Sequence, residues 1–393
     1  MTSRSTLPGG FGVNSGVNSG VSFWEQDAML DADFIVVGGG IIGLQTALEL
    51  RQREARASIV VLERGLLPSG ASSRNAGFAC FGSLTEILAD IDEWGQDAAL
   101  ALVERRWRGL NRLRQRLDDA ALGFECFGGS ELLLEKHLPA LSQLDSLNAM
   151  MRDLFGQPVF ALDADGLHRS AFGPQVRAMV RNPLEAQIHS GRAMRSLAKL
   201  AAQQGVEIHT GADVVSLEDA GGNVQVRVGG AQPLTFRAAR VALCTSGATA
   251  TLLPDCGIVP GRGQVMVTTP IPGLRWRGTF HIDEGFYYFR NVGERVLLGG
   301  GRNLDFDTEQ TGDMALSNKI QGALEALLRE TILPGRQFAI EHRWAGIMGF
   351  TDQGMPSVRM ASERVAIGFG CNGMGVALSA DIAAETAALL SGK

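Results

Sequence analysis

A chain of 393 residues, 45% hydrophobic and 20% charged, is long enough to bury large cores and to form two domains. Its net charge of −6 does not provide the concentrated basic surface that phosphate neutralisation needs, so nucleic acid is not an expected partner. The five cysteines are scattered without C-x-x-C spacing and the six histidines lack metal-ligand spacing, which points away from a disulfide framework and from a metal site.

In chain order, residues 1–22 carry a duplicated Val-Asn-Ser-Gly in a polar, glycine-rich context and read as a flexible tail. No basic stretch followed by an apolar core opens the chain, and the apolar run 34–44 is too short and too broken by glycine to span a bilayer. A soluble, cytoplasmic protein is expected. Residues 34–37 form a continuous apolar run of the kind buried on both faces of a parallel sheet. A helix over 41–53 and a second strand over 58–63 complete a β-α-β unit. Helices are expected over 84–94, 98–117 and 138–154, with a strand near 131–135, and a further helix over 191–204 feeds a strand at 206–209. Strand signals follow at 214–217, 224–228 and 240–244, then at 265–268, 285–290 and 295–298, and the chain closes with a strand at 366–369 and a helix over 376–390.

The most informative motif is Gly38-Gly39-Gly40-Ile41-Ile42-Gly43, which matches G-x-G-x-x-G between the first strand and the first helix. Gly38 permits the tight turn, Gly40 the approach of a pyrophosphate to the backbone, and Gly43 close helix packing, while the helix N-terminus beginning at Ile41 and Ile42 favours the phosphate charge. Glu63, followed by Arg64, ends the next strand twenty residues after Gly43, the spacing of a carboxylate that bonds the adenosine ribose. Both FAD and nicotinamide cofactors present this same ADP half. Three further segments favour FAD: a small, hydroxyl-rich loop including Ser72, Ser73, Arg74, Asn75, Ala76 and Gly77; two small-residue strand ends at Val214 and at Ser246 and Gly247; and the turn Gly370, Asn372, Gly373, Met374, Gly375 that opens the last helix. A helix start stripped of side chains can approach a flavin ring and stabilise the negative charge that develops there on reduction.

With Pro260-Gly261-Arg262-Gly263-Gln264, Trp344-Ala345-Gly346 and Gly354-Met355-Pro356 added, the sequence resembles the FAD-dependent D-amino-acid oxidase superfamily, in the branch of glycine oxidase, sarcosine oxidase, D-amino-acid dehydrogenase and gamma-glutamylputrescine oxidase. The resemblance implies an α/β fold in which a Rossmann-like FAD-binding domain (23–85, 160–255, 345–393) interleaves with a mostly antiparallel substrate domain (86–159, 256–344). It adds Arg262 and Gly346 to the cofactor-binding set. It also implies hydride transfer from a small amine or amino acid to flavin, giving an imine that water hydrolyses, with oxygen or another acceptor taking the electrons. On the strand 285–290, Tyr287 and Tyr288 point to opposite faces. Tyr288 is expected to meet the ligand, and Arg290 or Arg302 to clamp a carboxylate.

Relatives carry basic residues where this chain has Gly77, Met348 and Gly375, so the usual α-carboxylate clamps are missing, which points to an amine lacking an α-carboxylate or to a clamp rebuilt from Arg290 or Arg302. The positions of covalent flavin tethers hold Asn75 and Ala345, which implies non-covalent FAD. The strand 295–298 lacks the lysine with which sarcosine oxidases activate oxygen, which keeps a dehydrogenase in play. A 2-hydroxy-acid dehydrogenase and a non-catalytic flavoprotein subunit are the alternatives.

Overall fold

A computed structural model describes residues 20–351 and 354–392. Most of the glycine-rich tail, up to residue 19, lies outside them.

The first sheet is built on the β-α-β unit. Strand Asp31–Val37 pairs in parallel with Ile59–Glu63 on one side and Leu234–Leu243 on the other, and Glu207–Thr210 and Val365–Phe369 extend the parallel array outward. Because both faces are covered, Ile35, Val36, Val61 and Leu243 are fully buried, which is why these strands read as unbroken apolar runs. The helix feeding Glu207–Thr210, Ser190–Gln203, is the returning half foreseen in the sequence. Helix Ile41–Arg53 packs on this sheet together with the last helix, Gly375–Ser391. The long helix Gln96–Arg116 crosses the last helix so closely that a Cβ on Gly109 would lie 2.0 Å from the Ala377 carbonyl oxygen. Asp381 fixes the crossing by accepting from Arg105 at 2.8 Å and Arg108 at 2.7 Å.

The second sheet has eight strands and is antiparallel except where Thr279–Ile282 runs parallel to Gly129–Leu133. Its longest pairing joins Ile258–Thr268 to Ile340–Thr351. Strands Ala161–Leu162 and Ala178–Asn182 belong to this sheet through pairing with each other and with Gly129–Leu133, although they come from the stretch 160–255 assigned by sequence to the FAD-binding domain. Strand Ile340–Thr351 likewise runs across the boundary expected at 345.

The single helix expected over 138–154 is instead a 3₁₀ segment Glu135–Gln143 followed by Leu144–Met150 and Arg152–Phe155. Pro139 lies inside the first of these and, lacking an N–H, cannot donate the bond that a continuous α-helix would need there. Among the described residues no helix is long and apolar enough to cross a membrane.

Candidate active site

In the glycine turn, Gly38 and Gly43 stand where a side chain would meet backbone. Gly38 has φ +103°, and a Cβ there would lie 2.6 Å from the Cys244 carbonyl oxygen, on the neighbouring strand. A Cβ on Gly43 would lie 1.9 Å from the Gly38 carbonyl oxygen, so helix and strand can meet only if that position is bare. Gly40 caps helix Ile41–Arg53 without a side chain, and a Cβ there would stand 3.0 Å from the Ser72 hydroxyl oxygen, which accepts from the Ile41 N–H at 2.9 Å. Glu63 ends its strand buried, accepting from the N–H groups of Gly39 and Gly65 at 2.9 Å each. Its carboxylate is thereby fixed at the edge of the turn.

From this turn a cleft of about 460 Å³ runs between the two sheets. Its walls include Gly38, Gly40, Ile41, Ile42, Glu63, Arg64 and Val214, the loop residues Ser72, Arg74, Asn75, Ala76 and Gly77, and Ser246 and Gly346. They also include Asn372, Gly373, Met374 and Gly375 of the last turn, and Tyr288 and Arg302 of the second sheet. The elements singled out in the sequence are thus brought together across more than 300 residues of chain. Gly43, Ser73, Gly247, Gly370, Arg262 and Arg290 stand behind this surface. Gly43 and Gly247 serve close packing, Gly247 because a Cβ would lie 2.5 Å from the Met348 carbonyl oxygen. Ser73 bonds the Pro68 carbonyl. Gly370, with φ +122°, turns the chain where a Cβ would lie 2.3 Å from Pro356 Cα.

Loop and last turn are rigidly tied. Arg74 donates to the carbonyls of Ser69 at 2.9 Å and Ala345 at 3.0 Å, and Trp344 Nε1 donates to the Arg74 carbonyl at 2.8 Å. The Asn75 side-chain oxygen accepts from the Gly77 N–H and the Ser190 hydroxyl, each at 2.8 Å. Asn372, at φ +44°, accepts from the Thr351 N–H at 2.9 Å. These side chains position the backbone that faces the cleft.

The arginines divide by partner. Arg262 is buried and forks onto Glu309 at 2.9 and 2.7 Å, with Gln264 donating to the same carboxylate at 2.9 Å, so it braces the second sheet rather than reaching the cleft. Arg290 lies behind Gly77, donating to the Ile188 carbonyl at 3.0 Å, and burial brings its guanidinium down to about 10. Arg302 is different. It lines the cleft with its guanidinium 4.1 Å from the centroid of the Phe350 ring and 5.1 Å from that of Phe306, and it has no hydrogen-bond or ion-pair partner among the described residues.

Tyr288 faces the cleft and packs over bare Gly299, with its phenol pushed up to about 12 by burial, while Tyr287 packs into the core on the other face, as period-two alternation requires. Phe78 meets Tyr288 edge-on at 5.6 Å and His281 edge-on at 5.3 Å. Sequence reasoning missed His281, which lines the cleft with Nε2 3.0 Å from the buried Glu185 carboxylate. Burial is the largest influence and lowers the imidazole, yet Glu185, Glu86 and Glu131 together outweigh it, Glu185 foremost, and the ring is raised to about 9. The signal that would have found it, a four-residue strand ending in a tight turn with Asp283 and Glu284 at φ +59° and +55°, is weak in sequence.

Comparison with known proteins agrees with this layout. The model of the family described as FAD dependent oxidoreductase matches residues 33–389. A glycine oxidase of Geobacillus kaustophilus is 26% identical over 372 residues, covering 87% of this chain and 89% of that protein. A probable oxidoreductase OrdL of Rhizobium meliloti is 24% identical over 360 residues, covering 88% and 80% respectively. Among solved structures, an L-proline dehydrogenase from P. horikoshii superposes with a TM-score of 0.73 at 17% identity, covering 92% of this chain and 93% of that one.

Proposed function

The chain belongs to the family of FAD dependent oxidoreductases, and on that premise we propose that it oxidises a small amine carrying a carboxylate at a C–N bond, giving an imine that water hydrolyses. The observation that carries the substrate reading is Arg302, half-buried in the cleft wall, stacked on Phe350 and bonded to no carboxylate among the described residues, with Glu309 acting on it only from a distance. An arginine so placed is a preformed bidentate site for a substrate carboxylate. It offers a replacement for the clamps absent at Gly77, Met348 and Gly375.

The cleft fits the cofactor. Gly38, Gly40 and Gly43 leave the backbone bare at the start of helix Ile41–Arg53, and Glu63 is held where ribose hydroxyls can donate to it. Met374 and Gly375 open the last helix with no side-chain cap, leaving its N–H groups for the flavin end of the dinucleotide. When bound, FAD supplies the hydride acceptor. The chain's own part is positioning: Arg302 orients the carboxylate, and Phe78 and Tyr288 confine the amine-bearing carbon and exclude water.

Binding of FAD is read as non-covalent. Asn75 and Ala345 offer no nucleophile, and burial pushes the Cys371 thiol, which also lines the cleft, up to about 12, leaving it protonated and inert. Acid precipitation should therefore release the flavin into the supernatant.

The experiment is anaerobic mixing of the FAD-loaded protein with matched panels of amino acids, amines without a carboxylate, and 2-hydroxy acids. Bleaching of the flavin band by carboxylate-bearing amines, with release of ammonia or a primary amine, is expected. Bleaching by hydroxy acids alone would replace the reading with C–OH oxidation, and bleaching by nothing would make the protein a non-catalytic flavoprotein.

A further inference from the structure

Three residues from three separate parts of the chain meet in the cleft wall: Cys80, just after strand Phe78–Ala79; Glu185, in the turn before Ala186–Gln187; and His281, on Thr279–Ile282. All three are buried, and one ligand atom from each lies within 4.8 Å of the other two. From Cys80, His281 and Glu185 we infer a binding site for a thiophilic divalent cation of the zinc class in the wall of this cleft.

Donor chemistry and geometry both fit. Burial, with Glu185 beside it, holds the Cys80 thiol well above its usual range, so a bound cation displaces its proton; the thiolate so formed, an imidazole and a carboxylate are ligand types that zinc takes. At metal–sulfur distances near 2.3 Å, tetrahedral geometry separates neighbouring sulfurs by roughly 3.8 Å, and at metal–nitrogen or metal–oxygen distances near 2.1 Å it separates those ligands by roughly 3.4 Å. The Cys80 sulfur stands 3.8 Å from the Met374 thioether, and His281 Nε2 stands 3.0 Å from Glu185 Oε2. Met374 therefore offers a second soft donor beside the thiol, which favours a thiophilic ion over magnesium or calcium.

The carboxylate is seated by the fold. A Cβ on Gly129 would lie 1.9 Å from Glu185 Oε2, so the strand opposite is bare where the carboxylate sits, and the Thr279 hydroxyl donates to the same oxygen at 3.1 Å. Such an outer partner orients a ligating carboxylate. Cys80 forms no disulfide and has no hydrogen-bond partner among the described residues other than Met374. Cys80 and His281 both open onto the cleft, which gives a cation its entry path.

The test uses full-length, FAD-loaded protein freed of metal with a chelator and titrated with Cd²⁺ and, separately, Zn²⁺, followed by calorimetry and by the ultraviolet cadmium–thiolate charge-transfer band. One equivalent is expected to bind with appearance of the band. Cys80→Ser should abolish the band and weaken binding by at least about 100-fold, His281→Gln should weaken it by at least about 10-fold, and Cys126→Ser, which alters an exposed cysteine, should change nothing. FAD content and melting temperature confirm that each variant folds, with Cys80→Ala as the second substitution at that position. Absence of stoichiometric binding, a band that persists in both Cys80 variants, or a band lost in Cys126→Ser would each overturn the site. None of these outcomes bears on the amine reading, whose failure shows only in the substrate panel.

Discussion

Replacing Arg302 by Met tests the substrate reading most directly, because Met keeps an unbranched apolar chain against Phe350 while deleting the guanidinium. Removing one partner of a desolvated charge pair costs about 2–5 kcal/mol, and a half-buried group such as Arg302 belongs at the lower end, about 2–3 kcal/mol. At 1.4 kcal/mol per factor of ten, that is a loss of about 30- to 150-fold in kcat/KM for a carboxylate-bearing amine. The loss should fall mainly on KM, since the carboxylate is held alike in ground and transition states. Stopped-flow reduction of the flavin under anaerobic conditions measures both parameters, and the matched amine lacking its carboxylate serves as the internal control. For that control the variant should stay within about twofold of wild type, the difference between the two substrates acting as a double-mutant cycle across the contact. Equal losses on both substrates would mean that Arg302 acts through the fold or the cofactor, and unchanged kinetics on the carboxylate substrate would remove it from the site.

Gly43→Ala should prevent the approach of helix Ile41–Arg53 to the glycine turn, since its Cβ would sit 1.9 Å from the Gly38 carbonyl oxygen; overpacking of about 1–3 kcal/mol predicts a lower melting temperature and protein purified with little flavin. Glu63→Gln keeps one acceptor oxygen but loses the charge-assisted bonds to Gly39 and Gly65, so FAD affinity should fall by about tenfold with the fold intact, as read by flavin fluorescence titration. Burial raises Asp90 to about 6 from 3.8, against the pull of Arg106. Its folded-state value lies above the unfolded one, so its stabilising contribution is complete below about pH 4 and is lost as pH rises through about 6. Discounted for partial exposure, the swing is at most about 2 kcal/mol, and urea midpoints at pH 5 and 7 should differ more in wild type than in Asp90→Asn.

The FAD-binding half was legible because its determinants are local. Strand 34–37, the glycine turn, helix 41–53 and Glu63 lie within thirty consecutive residues, and each glycine answers to a clash that sequence spacing encodes. The second sheet was legible only in part. Strand Ile340–Thr351 contains Gly346, Gly349, Arg343 and His342 and shows no alternation; it is a strand because its partner Ile258–Thr268 supplies a long register, and Gly349 is bare because a Cβ would meet Phe369 at 2.3 Å. The roles of the arginines could not be read at all. Arg262 and Arg302 look equivalent in sequence, and what separates them is that Glu309 bonds directly to Arg262 but reaches Arg302 only through its field. His281 and Cys80 escaped notice for the same reason, since their shared partner Glu185 is about a hundred residues from either.

This contrast has a physical basis that bears on what the fold conserves. On the proposed reading the dinucleotide end is recognised through main-chain groups and a helix terminus, which bare glycines at Gly38, Gly40 and Gly43 expose. The substrate end is recognised by side chains projecting from an antiparallel sheet, where any residue can occupy a cleft-facing position without disturbing the register. A superposition at a TM-score of 0.73 with 17% identity shows that this fold is kept while most side chains differ. Arg302, His281 and Tyr288 all line the cleft from strands of the second sheet or their ends. If the proposed reading holds, substitutions of these residues should change turnover of the substrate panel while leaving FAD content unchanged.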